Sequence, residues 1–178
     1  MARSGRVVLA GAVTGLVLVA FGKNMQSAPE ETAAGVVPRS IDIPSIDVEA
    51  PLMKLGLKDG EVELPPYEKP KVAGWYTGSA VPGEKGASVI VGHVDTKTSP
   101  AVFYKLRQVR KGETVKVERS DGKVVEYKVT AIEQVHKDDF PLRKVYVEDG
   151  LKLVTCGGKF DYAKGEYLDN IIVYASEA

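Results

Sequence analysis

One cysteine and one of only two histidines stand in contexts that suit covalent chemistry. Cys156 closes the run Leu151-Lys152-Leu153-Val154-Thr155 and is followed by Gly157-Gly158; His93 closes Ala87-Ser88-Val89-Ile90-Val91-Gly92 and is followed by Val94-Asp95. A thiol must become a thiolate before it attacks, and an imidazole beside it favours that step by taking the proton. The two glycines after the cysteine remove side-chain bulk, so a peptide could approach and a backbone N–H could face a developing oxyanion. Each residue alone has a plainer reading, since a lone cysteine on an apolar strand is usually an inert core residue. A metal site built from His93, Asp95 and Cys156 would have too few ligands at the usual spacing. His136, in the polar stretch Val135-His136-Lys137-Asp138-Asp139, reads as a surface residue.

The elements that must position this pair read as strands. Ser40 to Val48 alternates polar and apolar residues, with Pro44 expected at an edge or a break because it cannot donate a ladder hydrogen bond. Further strand patterns cover Ala50 to Leu57, Ala87 to His93, Thr114 to Glu118, Val124 to Val135, Leu151 to Thr155 and Asn170 to Ala175. Arg119-Ser120-Asp121-Gly122-Lys123 joins two alternating runs, and its Asp-Gly step predicts a hairpin with positive φ at the glycine. The best helical stretch, Pro100 to Leu106, is long enough for a turn or two. Many short strands and little helix predict an all-β sandwich or closed barrel, in which His93 and Cys156 sit at strand ends. Trp75 and Tyr76 are expected to pack against it.

Composition limits the partners. Lys and Arg number 24 and Asp and Glu 24, so no net charge argues for nucleic acid. A single cysteine excludes an intrachain disulfide and a multi-cysteine zinc cluster. At the N-terminus Arg3 and Arg6 precede the uncharged run Val7 to Phe21, and Lys23 restores polarity. That pattern fits a signal anchor or a secretory signal, and in both cases the chain beyond Lys23 faces outward. Gln26-Ser27-Ala28 supplies only half of the small-residue pattern of a cleavage site, which favours the uncleaved anchor. The expected organisation is a signal anchor or signal peptide over 1–23, a flexible linker rich in Ala, Glu and Pro over 24–39, and one domain over 40–178.

Ser88-Val89-Ile90-Val91-Gly92-His93-Val94-Asp95, then Ala101-Val102-Phe103-Tyr104-Lys105-Leu106, then Leu153-Val154-Thr155-Cys156-Gly157-Gly158 resemble, in this order and at these separations, the sortase family, and within it the class F sortases of actinobacteria. Ile43-Pro44-Ser45-Ile46 resembles the family's first strand, and Leu168-Asp169-Asn170-Ile171-Ile172-Val173-Tyr174-Ala175 its closing strand. The resemblance implies a closed eight-stranded β-barrel with short helices, and His93 beside Cys156 at one end of a substrate groove. It also implies a cysteine transpeptidase that cuts a Leu-Pro-X-Thr-Gly-like sorting signal between Thr and Gly; no cofactor or metal requirement is visible in this sequence, although some sortases respond to calcium through acidic loop residues. In that chemistry Cys156 forms a thioester with the threonine, and His93 serves as general acid and base. The implied partners are secreted proteins bearing the signal and a cell-wall or protein amine, or water, as acceptor. The implied location is the cell membrane, crossed once, with the catalytic domain outside.

The chain departs from the family's pattern at one point, for no arginine follows Cys156. Sortases generally use a closing-strand arginine to steady the substrate and the oxyanion. Asn170 stands near that place and offers a neutral hydrogen bond, weaker than a charge-assisted one; Arg107 is the other candidate, reaching in from elsewhere. The missing arginine also keeps open an inactive, sortase-shaped binding or assembly module. The Ser-His-Gly-Cys signature of L,D-transpeptidases, which share the Cys and His chemistry, is not present.

Overall fold

The computed structural model describes residues 35–178. The expected anchor over 1–23 and most of the expected linker lie outside the described residues. No helix of the described residues is long and apolar enough to cross a membrane.

The chain opens with β1 (Pro38–Ile43), whose first residue lies two positions before the expected domain start. Pro44 then breaks the strand as expected, starting a single 3-10 turn over Pro44–Ile46, and the alternating pattern resumes as β2 (Val48–Leu55). A two-stranded ribbon follows, β3 (Leu57–Lys58) with β4 (Glu61–Val62). The remaining strands are β5 (Ala73–Tyr76), β6 (Ala87–Val91), β7 (Thr114–Arg119), β8 (Val124–His136), β9 (Gly150–Asp161) and β10 (Glu166–Glu177). Eight of these close a barrel in the order β1-β2-β5-β6-β9-β10-β8-β7, so that each of them has a strand neighbour on both sides over part of its length. β7 and β8 form the expected hairpin, with Gly122 at φ 81° in the turn and the Asp121 carboxylate accepting from Arg119 and from the Lys123 N–H.

Alternation along the strands divides the apolar residues between two clusters. One fills the barrel and includes Ile41, Ile90, Phe103, Leu106, Val117, Leu151, Leu153 and Val173. The other, on the outer face of the sheet, joins Val89, Val91, Val154 and Ile172 to Leu55, Val62 and Val145. Val145 belongs to α1 (Leu142–Tyr146), a five-residue helix that the sequence did not announce. The expected helix from Pro100 to Leu106 is a run of turns closed by a 3-10 turn over Leu106–Gln108. Phe103 is fully buried there, so this segment plugs the barrel rather than lying on it. Trp75 packs in the barrel core and Tyr76 against the outer cluster.

Candidate active site

β6 and β9 run parallel at the centre of the sheet, paired from Ala87↔Gly150 to Val91↔Val154. The Gly92 N–H still donates to the Val154 carbonyl at 3.1 Å, so the pairing continues past the last assigned strand residue of β6. Val91 and Val154 both face the outer cluster. His93 and Cys156 each lie two residues beyond this last pair, His93 past the end of β6 and Cys156 within β9. Cys156 does not stand at the end of its strand as expected, because β9 runs on through Gly157 and Gly158 to Asp161, paired only with β10. It stands where β6 stops and β9 loses one of its two neighbours, which leaves the thiol half-buried beside an open flank.

Gly92 explains how His93 is pinned. A Cβ there would lie 2.7 Å from both Phe103 and Val102, so only glycine lets the plug segment pack directly on the chain before the histidine. The Phe103 N–H donates to the His93 carbonyl at 3.0 Å and the Ala101 N–H to the Val94 carbonyl at 3.1 Å. The imidazole itself is buried, with Nε2 2.6 Å from the Pro65 carbonyl oxygen and the Tyr67 ring stacked on it at 4.2 Å between centroids. Neither Pro65 nor Tyr67 was legible as a site residue, since both lie in an aperiodic stretch between β4 and β5. Among the described residues no hydrogen bond joins His93 to Cys156.

Electrostatics around the thiol are mixed. Burial pushes the Cys156 thiol above its ordinary value, the Lys137 ammonium pulls it back, and Asp95 and Glu166 add to the rise. Lys137 is held by Glu166 at 3.3 Å. Burial, with the charges of Cys156 and Asp95, also raises the Tyr67 phenol, which puts that hydroxyl in the same electrostatic neighbourhood. Asp95 neither caps its own backbone nor bonds His93; its carboxylate accepts from the Tyr167 hydroxyl at 2.5 Å.

A cleft of about 570 Å³ opens beside Cys156, walled by Asp95, Tyr104, Arg107, Gln134, Gly158 and Tyr167 among others. Arg107 therefore shares a cavity with the cysteine. Asn170, the cross-strand partner of Cys156, is buried and is not part of that wall; its amide donates to the Thr155 carbonyl at 3.3 Å. His136 lies on the surface, its Nδ1 accepting from the Asp138 N–H. Among the described residues no group of three or more His, Cys, Asp or Glu side chains is arranged to hold a metal ion.

The family model described as a sortase domain matches residues 41–178. Among solved structures, sortase A from Corynebacterium diphtheriae is 25% identical with a TM-score of 0.59, over 80% of this chain and 60% of that one. Sortase C from Streptococcus pneumoniae is 25% identical with a TM-score of 0.59, over 79% and 68%. Sortase C-1 from Actinomyces oris shares the fold at 24% identity and a TM-score of 0.59, over 79% and 71%. This chain thus spans less than two thirds of the Corynebacterium protein. No curated protein matches it.

Proposed function

The chain belongs to the sortase family, and from that premise we propose that it is a cysteine transpeptidase that cleaves a Leu-Pro-X-Thr-Gly-like sorting signal between Thr and Gly. The observation that carries the reading is the parallel β6–β9 register, in which His93 and Cys156 each follow the last paired residues, Val91 and Val154, by two positions. Cys156 on a central strand, and His93 just past the end of the neighbouring strand and tied down by the Phe103 N–H, are a nucleophile and a base on a rigid support, as nucleophilic catalysis requires. Cys156 attacks the threonine carbonyl, and His93 gives a proton to the departing glycine amine, then takes one from the incoming amine. The acceptor is a cell-wall or protein amine, or water. The class F assignment rests on the Gly-His-Val-Asp and Thr-Cys-Gly-Gly stretches. The location rests on Arg3, Arg6 and the run Val7 to Phe21, which anchor the chain in the membrane with its catalytic domain outside.

A sortase-shaped binding module is the second reading. It is favoured by the lack of an arginine after Cys156 and by an imidazole nitrogen already occupied by Pro65. Mass spectrometry of a Leu-Pro-X-Thr-Gly peptide library, incubated with the full chain and a glycine-type amine beside a Cys156→Ala control, separates the two. Cleavage after Thr with amine transfer, absent from the control, is the expected result. An intact library with no thioester adduct favours the binding module.

A further inference from the structure

His93 is gripped on both its backbone and its ring. The backbone is fixed by the Phe103 N–H, as above, and the ring by a loop rich in proline. Pro65, Pro66 and Pro70 fix φ at three positions of the segment between β4 and β5. That segment is tied down by hydrogen bonds from Glu63 N–H to the Gly56 carbonyl at 3.0 Å, Lys69 N–H to Pro66 at 2.9 Å and Val102 N–H to Pro70 at 2.7 Å. The last of these joins it to the same plug segment that holds His93.

The chemistry of the Pro65 contact decides which imidazole nitrogen is free. A carbonyl oxygen only accepts, so a separation of 2.6 Å from Nε2 places the proton on Nε2. In the neutral ring the lone pair then lies on Nδ1. Tyr67 is 60% exposed, yet it lays one face of its ring on the imidazole with 18° between the planes. Stacking of this kind fixes the plane of the ring and leaves its in-plane nitrogens free to bond.

From this geometry we propose that Pro65 and Tyr67 are positioning residues that hold His93 as the Nε2–H tautomer, so that Nδ1 is the atom that exchanges the proton in catalysis. The proposal rests on the reading of His93 as the acid/base partner of Cys156. The Cys156 S–H bond breaks as the Nδ1–H bond forms, giving thiolate and imidazolium. Attack then forms the S–C bond, and the Nδ1 proton passes to the amine nitrogen as the C–N bond breaks. Throughout, Nε2–H stays on the Pro65 carbonyl, and that bond strengthens while the ring is charged.

The chain has only two histidines, so nitrogen spectra of the full chain labelled with ¹⁵N-histidine are simple, and His136→Gln assigns them. With the ring neutral, His93 should show a bare, high-frequency Nδ1 and a protonated Nε2. The opposite pattern, or the averaged pattern of exchanging tautomers, overturns the proposal. Tyr67→Phe keeps the ring and should keep the pattern. Tyr67→Ala should give averaged tautomers and lower kcat for peptide transfer roughly tenfold at nearly constant KM, a part of the 10²–10⁴-fold that general acid–base catalysis typically contributes. An unchanged spectrum and rate in Tyr67→Ala remove Tyr67 from the proposal, and the wild-type spectrum tests Pro65 even if that variant does not fold. A single Nε2–H tautomer in a chain that processes no sorting peptide would sink the proposed function alone, whereas an active chain with Nδ1–H would sink only this assignment.

Discussion

The Tyr167 hydroxyl donates to the Asp95 carboxylate at 2.5 Å, joining the residue two places after His93 to β10, the strand paired with that of Cys156. Hydrogen bonds to a carboxylate are the stronger kind, and both partners of this one line the cleft beside the cysteine. It ties the segment that follows His93 to the strand paired with that of Cys156, at a distance of 72 residues in sequence. Tyr167→Phe keeps the ring and removes the bond, so it should cost roughly 1 kcal/mol, the low end for a charged partner because the pair is partly exposed. Its pH dependence has a definite sign. Burial first, then the Asp95 carboxylate, push the phenol from 10.0 up to about 12. A raised acid contributes stability that is fully present below its unfolded value and lost as pH climbs through the folded one. Denaturation midpoints of wild type and Tyr167→Phe should therefore differ below pH 10 and converge toward pH 12; a constant gap would assign the effect to packing.

The Lys137 ammonium draws the Cys156 thiol back toward its ordinary value against burial. Lys137→Met should raise the thiol further and slow iodoacetamide alkylation at pH 7 by about two- to fivefold, the scale of one partly screened charge. Because burial already holds the thiol above its ordinary value, alkylation of wild type should keep rising with pH past the range in which a free cysteine levels off. A rate that levels off near neutrality in both proteins would mean that the thiolate is stabilised by another group.

Gly92→Ala places a methyl 2.7 Å from Phe103 and Val102, both buried in the barrel plug. Overpacking of this kind costs roughly 1–3 kcal/mol. The melting temperature should fall, and because Gly92 precedes His93 the peptide-transfer rate should fall further than stability alone explains. A variant as active as wild type would show that the plug segment shifts without moving the histidine.

Much of this arrangement was legible from local pattern. Asp121-Gly122 between alternating runs marks the β7–β8 hairpin because positive φ at a two-sided turn has few chemical solutions. His93 and Cys156 stood out because each ends an apolar run that only a buried central strand explains. Other parts depend on contacts that no local pattern encodes. β5 is four residues long and exists through its parallel pairing with β2 and antiparallel pairing with β6. Gly157-Gly158 reads as a loop, yet β9 carries on through it; at Gly158, with φ 75°, a Cβ would strike the Asp169 side chain. Pro65 meets His93 across 28 residues, from a loop with no periodicity to betray it.

Lys152 is buried in the middle of the β6–β9 pairing, with its ammonium on the backbone carbonyls of Asp149 at 2.7 Å, Gly150 at 3.2 Å and Glu148. It closes the turn from which β9 sets out toward Cys156. Lys152→Met fills much the same space but leaves those carbonyls, on exposed and half-buried residues, without their donor, which costs roughly 0.5–1.5 kcal/mol. Hydrogen exchange should show faster opening at the start of β9, with the Cys156 end less affected. Uniform loss of protection along the whole strand would instead mean that the turn and the site unfold as one unit.

Arg107 and Asn170 compete for the part of the missing arginine, and their surroundings differ enough to separate them. Asn170 is buried and its amide is engaged by the Thr155 carbonyl, so Asn170→Ala should chiefly lower the melting temperature, with kcat for peptide transfer reduced in step. Arg107 is exposed and walls the cleft that contains Cys156, so Arg107→Ala should leave the melting temperature within about half a kcal/mol of wild type. Loss of a charged donor at a developing oxyanion should lower kcat/KM for the sorting peptide by roughly 10²-fold, the cost typical of one such donor. Arg107→Lys should restore part of this, because it keeps the charge but not the two-pronged geometry. If Arg107→Ala transfers peptide at the wild-type rate while Asn170→Ala loses activity without losing stability, the neutral amide holds the role.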